Sequence, residues 1–137
     1  MYEIFKNFSE DKNAQRLAEN VIKYRINNKF LKVKNLIDVI EETVKHKPVD
    51  KFSTLNRIFQ GLRICVNYEI LNLENFFPNS IEAVEENGVI SVISFHSLED
   101  KIVKFFFSEY QKIKLGKVIT KHSIKPSQFE VDENSKS

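Results

Sequence analysis

Apolar residues recur every three or four positions through the first half of the chain, which is the spacing of amphipathic α-helices. The pattern predicts helices over residues 11–27, 33–46 and 53–76, with Ser9 or Asp11 available to cap the first. Proline follows the second and the third of these segments, and proline ends helices. A short helix over residues 79–86 is predicted next.

The period changes after Gly88. Residues 89–95 form a short β-branched apolar run, which is typical of a strand buried on both faces of a parallel sheet. An amphipathic helix over residues 97–112 and a second strand over residues 117–120 complete the pattern. The sequence therefore predicts an α/β fold. Because a lone strand leaves its backbone groups and both faces without partners, we expect this sheet to be incomplete or to be completed by another chain.

Composition restricts the class of protein. The chain has 137 residues, a formal net charge of +2 and an ordinary globular balance of apolar and charged residues. Its single cysteine, Cys65, excludes an internal disulfide and is expected to be a buried thiol. No apolar run approaches the roughly 20 residues of a membrane span. These features predict a soluble, cytoplasmic protein, and the weak positive charge permits an RNA partner without requiring one.

The most unusual string is SFHSLED, residues 94–100, where the predicted strand ends and the next helix begins. Ligands collect at the carboxyl ends of strands in open α/β sheets, and a helix N-terminus offers free N–H groups. His96, Ser97 and Asp100 are therefore candidate residues of a catalytic pocket wall. The alternative is structural, because Ser97 and Asp100 also have the spacing of a capping box.

A second string places Arg57, Gln60, Arg63 and Asn67 on one face of the third predicted helix. Two guanidinium groups and two amides can bind phosphates and base edges, so these four are candidate RNA-binding residues. The alternative is a solvated polar face in which Arg63 pairs with Glu69 or with a neighbouring helix. The basic residues of the first helix are predicted to form a solvated surface.

Other chemistry has little support in the sequence. The three histidines are scattered without the spacing of metal ligands, so no metal site is predicted. The three glycines are isolated and form no Gly-rich phosphate loop. Cys65 is expected to be a core residue rather than a nucleophile, since no base is placed to activate it.

The strings FQGLRICVNYE (residues 59–69), SFHSLEDKIVK (94–104) and TKHSIKPS (120–127) together resemble the small-subunit rRNA cytosine-N4 methyltransferases. They occur in the order and spacing of that family, and the resemblance covers essentially the whole chain. Two departures stand out. Gly61 stands where the family usually has alanine, and residues 53–57 differ from the family's usual lead into this motif.

The resemblance implies a Rossmann-like methyltransferase domain interrupted by a helical insert. Residues 1–70 would correspond to the insert and residues 71–137 to the C-terminal part of the methyltransferase domain, with an incomplete sheet. The family's Gly-rich cofactor loop lies upstream of the insert, so we expect no cofactor-binding residue in this chain. S-adenosylmethionine is the cofactor expected for the full-length enzyme.

The function implied by the resemblance is transfer of a methyl group to the N4 amine of a cytidine in small-subunit ribosomal RNA. The chain alone is expected to be inactive. Its expected partners are that RNA or a 30S-type particle, and either a missing N-terminal half or a second copy, with no membrane. Two alternatives remain: a non-catalytic RNA- or ribosome-binding module, and a structural fragment derived from such an enzyme.

Overall fold

A computed structural model describes residues 1–45, 51–120 and 122–134. Seven α-helices occur in these ranges, and the chain divides into two compact units, Met1–Asn79 and Ser80–Ser137. The helices are α1 (Tyr2–Asn7), α2 (Ala14–Asn27), α3 (Val33–Val44), α4 (Lys51–Val66), α5 (Glu69–Ala83), α6 (Ser97–Lys112) and α7 (Gln128–Glu133). None of these helices is long and apolar enough to cross a membrane.

The core of the first unit lies between α1, α2, α3 and α4. Helix α2 packs against α1 and α3, and α4 packs against the same two helices, α1 and α3. The fully or almost fully buried members of this core are Phe5, Ala14, Leu17, Ala18, Val21, Val39, Ile40 and Ile58. In α2 these residues follow the three- and four-residue spacing read from the sequence, so the buried face is the one that the apolar pattern predicted.

Three of the predicted helices match helices of the structure. The helix over residues 97–112 is confirmed as α6, and those over residues 11–27 and 33–46 correspond to α2 and α3. Residue 46 itself lies outside the described residues. Asp11 does not cap α2 directly; its carboxylate accepts from the backbone N–H of Asn13, the N-cap residue, at 2.8 Å.

The prediction of one continuous helix over residues 53–76 was wrong. The helix breaks after Val66, because Tyr68 adopts a left-handed backbone conformation with φ of 55°. Helix α5 then begins at Glu69 and continues through Pro78 to Ala83, so the separate short helix over 79–86 is absent. Helices α1 and α7 were not predicted; both are only six residues long.

The predicted α/β fold is also wrong for the part of the chain described. Residues 89–95 and 117–120 were expected to be strands, yet no strand occurs in residues 1–45, 51–120 or 122–134. A β-branched run favours extended backbone, but a strand exists only when a neighbouring segment exchanges hydrogen bonds with it. No described segment pairs with either run, so an incomplete Rossmann-like sheet is not present.

The second unit has no buried core of its own. No described residue between positions 81 and 134 is buried, although the segment is rich in large apolar residues. Ile93 is 81% exposed and Phe95 is 88% exposed. The predicted domain boundary between residues 70 and 71 stays a prediction, while the two compact units divide between Asn79 and Ser80.

Gly61 lies where α4 makes its closest approach to the connection between α1 and α2. A Cβ atom at this position would collide with Oγ of Ser9 and would lie 2.7 Å from the backbone nitrogen of Ser9. It would also lie 3.0 Å from the carbonyl carbon of Phe8. The absent side chain therefore lets a backbone segment lie directly on the helix.

We expect Gly61→Ala to destabilise the chain. Alanine gains up to about 1 kcal/mol in helix propensity. Displacing the backbone of Ser9 costs about 1–3 kcal/mol, as overpacking does in well-packed sites. This cost exceeds the gain in helix propensity, so the net effect is destabilising. Urea unfolding followed by circular dichroism measures the free energy of unfolding. Gly116→Ala is the matched control, because no atom lies within 4 Å of a Cβ there. A more stable Gly61→Ala chain would contradict this account.

Candidate functional site

Arg57 is held by a buried carboxylate. Its Nη2 donates to Oδ2 of Asp11 at 2.8 Å and its Nε donates to the same oxygen at 3.2 Å. The Asp11 side chain is 1% exposed, whereas that of Arg57 is 39% exposed. Arg57 also donates to the hydroxyls of Ser53 and Thr54. The guanidinium thus joins α4 to the α1–α2 connection.

Arg63 pairs with Glu69 across the break between α4 and α5. Its Nε and Nη2 donate to the two carboxylate oxygens at 2.8 and 3.0 Å, and Asn67 donates to one of them at 3.2 Å. The alternative that paired Arg63 with Glu69 is therefore confirmed. Of the four candidate RNA-binding residues, Arg63 and Asn67 meet on Glu69, Arg57 is bound to Asp11, and Gln60 lies half-buried between them along α4.

His96 is the N-cap of α6. Its Nδ1 accepts from the backbone N–H of Glu99 at 3.4 Å, while the Glu99 carboxylate accepts from the N–H of Phe95 at 2.8 Å. The Nε2 of His96 is buried and makes no hydrogen bond with the described residues, although Oε1 of Glu99 lies 3.4 Å away.

Asp100 and Ser97 occupy the first turn of α6. The hydrogen bond from Lys104 lowers the pKa of Asp100 below its ordinary value, and a hydrogen bond from Ser123 acts in the same direction. Asp100 is therefore a carboxylate at neutral pH and a weak base. The cap of α6 falls on His96, one residue before the predicted cap at Ser97, and the Glu99 carboxylate accepts from Phe95 rather than from the N-cap residue.

Three residues that organise these groups were absent from the candidate sets: Asp11, Glu69 and Glu99. Glu99 had a local signal, because glutamate three residues after a possible N-cap is the usual capping-box partner. Asp11 had none, since its partner Arg57 is 46 positions away in the sequence.

The hollow described in the first unit does not fit S-adenosylmethionine. An adenosine site needs apolar walls with a few polar groups that converge on the ligand. A hollow of about 310 Å³ in the first unit is instead lined by three carboxylates and two lysines, namely Asp38, Glu41, Glu42, Lys45 and Lys51. Gly61, the glycine of the first unit, is in contact with Ser9 rather than lining a phosphate loop.

Comparison with known proteins identifies the class. The model of the MraW methylase family matches residues 1–137, so the chain belongs to this methyltransferase family. The resemblance read from the sequence is thereby confirmed.

The similar curated proteins are named ribosomal RNA small subunit methyltransferase H. The protein of a Sulfurihydrogenibium species is 36% identical over 138 residues, which cover 98% of this chain and 46% of that protein. Those of Coprothermobacter proteolyticus and Leptospira interrogans are 34% and 38% identical, covering 98% and 96% of the chain and 44% and 40% of the relatives. The chain therefore spans less than half the length of these relatives.

Asp11→Ala should destabilise the first unit by about 1.5–3 kcal/mol, because it removes charge-assisted hydrogen bonds from a buried site. Unfolding in urea gives the value. Asp38→Ala is the matched control: its ion pair with Lys34 is exposed on both sides and should contribute less than about 0.5 kcal/mol. Equal losses in the two variants would contradict a structural role for the Asp11–Arg57 pair.

His96→Ala should fray the first turn of α6 at a cost of about 1 kcal/mol, whereas His96→Asn should preserve the cap, because asparagine is a strong N-cap residue. Hydrogen exchange at the Glu99 amide reports the difference and should quicken only in the alanine variant. Ser97→Ala serves as the control. If Ser97→Ala quickens exchange as much as His96→Ala, the assignment of the cap to His96 is wrong.

Proposed function

We propose that this chain is part of an S-adenosylmethionine-dependent methyltransferase that modifies the N4 amine of a cytidine in small-subunit ribosomal RNA. The observation that carries the proposal is the match of the family model to all 137 residues. The names of the relatives support ribosomal RNA as the substrate. The N4 position follows from the resemblance of the strings at residues 59–69 and 94–104 to the cytosine-N4 methyltransferases.

The chain by itself is proposed to be inactive and to act together with the remainder of a longer enzyme or with a second copy. Two observations support this. The hollow of about 310 Å³ in the first unit is lined by charged side chains, which do not suit the adenosine of the cofactor. The second unit also exposes large apolar side chains such as Ile93 and Phe95, and exposed apolar surface of this kind is typical of surfaces that another polypeptide covers.

His96, Ser97 and Asp100 are proposed to line the wall of the catalytic pocket. Support comes from His96, whose buried Nε2 makes no hydrogen bond with the described residues. A buried N–H without an acceptor costs free energy, so such a group indicates that a partner is supplied in the working enzyme. Asp100, with its lowered pKa, serves better as a fixed negative charge than as the acceptor of a proton.

RNA binding is proposed for four residues of α4 and its end, which differ in how firmly their present partners hold them: Arg57, Gln60, Arg63 and Asn67. If Arg57 moved away from Asp11, a buried carboxylate would lose its charged partner, which is costly. Arg63 is 56% exposed, compared with 39% for Arg57, so a phosphate can reach its guanidinium more readily. Arg63 and Asn67 are therefore the better candidates for direct contact, and Arg57 acts by holding α4 in place.

A chimera tests the proposal directly. The segment of the Sulfurihydrogenibium relative that aligns with this chain would be replaced by it, and the hybrid assayed on small-subunit particles that lack the modification. We expect methyl transfer by the chimera and none by the 137-residue chain alone, with N4-methylcytidine identified by mass spectrometry of nucleosides. Calorimetric titration of the chain alone with S-adenosylmethionine should give no binding heat.

The controls separate folding from function. The unmodified relative gives the reference rate, and circular dichroism establishes that the chimera is folded. A folded chimera without activity would overturn the proposed function, and a methylated nucleoside other than N4-methylcytidine would overturn the site of transfer. Within the chimera, His96→Asn retains the helix cap, so a normal kcat/KM in this variant would remove His96 from the pocket wall.

A second function, RNA binding without catalysis, is favoured by one observation: an acid-free basic stretch over residues 20–37. The two functions differ in the chimera, since a module without catalytic residues would bind RNA there and leave it unmethylated.

A further inference from the structure

The most concentrated charge of the chain lies at the end of α2 and in the connection to α3. Residues 20–37 contain five cations and no aspartate or glutamate. One of the cations, Lys34, is paired with Asp38 at 2.9 Å. The other four are exposed and have no side-chain partner among the described residues: Lys23, Arg25, Lys29 and Lys32. We call these four the basic surface.

From the sequence, the basic residues of the first helix are predicted to form an ordinary solvated face. Lys12 and Arg16 fit that description, because Asp11 and Glu19 lie close to them in the sequence. Arg25 does not, because no acidic residue lies within five positions of it, and the Glu19 carboxylate next to Lys23 on the helix accepts from the Gln15 side chain at 3.2 Å. A surface balanced for solubility alternates the two signs, whereas a single sign over 18 residues creates a local positive field.

The backbone that carries the basic surface is held in place. The rings of Tyr24 and Phe30 lie 4.7 Å apart, which folds the connection back onto the last turn of α2. Asn28 donates from both its backbone and its side chain to the carbonyl oxygen of Tyr24. Oδ1 of Asn35 accepts the backbone N–H groups of Leu31 and Lys32 at 3.1 and 3.0 Å. The cations are therefore presented from an ordered connection rather than from a loose loop.

Apolar side chains lie exposed among these cations. Ile26 is 74% exposed, Leu31 is 80% exposed and Val33 is 65% exposed. Cations suit a phosphate backbone, and the planar guanidinium of Arg25, next to the exposed Ile26, can stack on an unstacked base, as in single-stranded nucleic acid. The bases of a duplex are stacked on one another, so a duplex would contact the cations through its phosphates but would offer no free base face.

We propose that the basic surface binds the phosphate backbone of single-stranded RNA, as a second RNA contact separate from Arg63 and Asn67. The choice of RNA rests on the proposed function, because the relatives are named as ribosomal RNA methyltransferases. The existence of a polyanion site rests on the charge and exposure of the four residues alone. The first unit thus contributes RNA affinity through α2 as well as through α4.

The test uses the complete 137-residue chain and a fluorescent single-stranded RNA of about 12 nucleotides, with binding followed by anisotropy at several salt concentrations. The patch variant carries Lys23→Gln, Arg25→Gln, Lys29→Gln and Lys32→Gln. The matched control carries Lys12→Gln, Arg16→Gln, Lys51→Gln and Lys117→Gln, which removes three lysines and one arginine from other exposed positions. Both variants lose the same net charge.

We expect the patch variant to lower the slope of log affinity against log salt by about 3, since each contact to a single strand contributes about 0.7. At about 0.1 M salt this corresponds to a loss of affinity between roughly tenfold and several hundredfold. The control variant should lose much less. Circular dichroism should be unchanged for both, because the substituted side chains are exposed. Replacing Lys23, Lys29 and Lys32 by arginine keeps the charge and should keep the affinity.

Three results would overturn the proposal: equal losses in the patch and control variants, unchanged RNA binding in the patch variant, or loss of vesicle binding without loss of RNA binding. The last is measured by sedimentation with phosphatidylserine–phosphatidylcholine vesicles and would assign the surface to a membrane. None of these readouts depends on methyl transfer. An inactive chimera would therefore reject the proposed enzyme function and leave the basic surface to be judged on RNA binding.

Discussion

The first unit depends on a backbone segment that lies directly on a helix. The connection between α1 and α2 reaches α4 at Gly61, where the missing side chain leaves room for Ser9. Two residues further on, the buried carboxylate of Asp11 holds Arg57 from the same helix. These contacts hold the α1–α2 connection on α4, beside the core in which Phe5, Leu17 and Ile58 are buried.

This arrangement gives the charged residues of α4 unequal roles. Arg57 neutralises a carboxylate that is almost wholly shielded from water, so its first contribution is to the fold. Arg63 is 56% exposed, and its two hydrogen bonds to the largely buried Glu69 join α4 to α5. Exposure of the two arginines therefore increases along α4 away from Asp11. Four exposed cations without a side-chain partner among the described residues lie on α2 and the connection that follows it.

The second unit shows the opposite balance. Its apolar residues are as numerous as the sequence indicates, yet none of the described residues after Ser80 is buried. The helix cap at His96 and Glu99 forms without a core, because it needs only residues that are three and four positions apart. Local structure has formed here, whereas burial requires partner surface that the described part of this unit does not supply.

The sequence by itself determined the features that depend on neighbouring positions. These are the buried face of α2, the bounds of α6 and the local motifs by which the chain resembles the methyltransferase family. The pairing of Arg63 with Glu69 was one of the alternatives that the sequence left open. Tertiary structure decided the features that join distant positions, such as the contact of Asp11 with Arg57 and that of Ser9 with Gly61. It also decided that residues 89–95 are not a strand, since strand formation requires a hydrogen-bonding neighbour and not only a β-branched sequence. Side-chain periodicity encodes which face of a helix is apolar, but it carries no information about which distant segment meets that face.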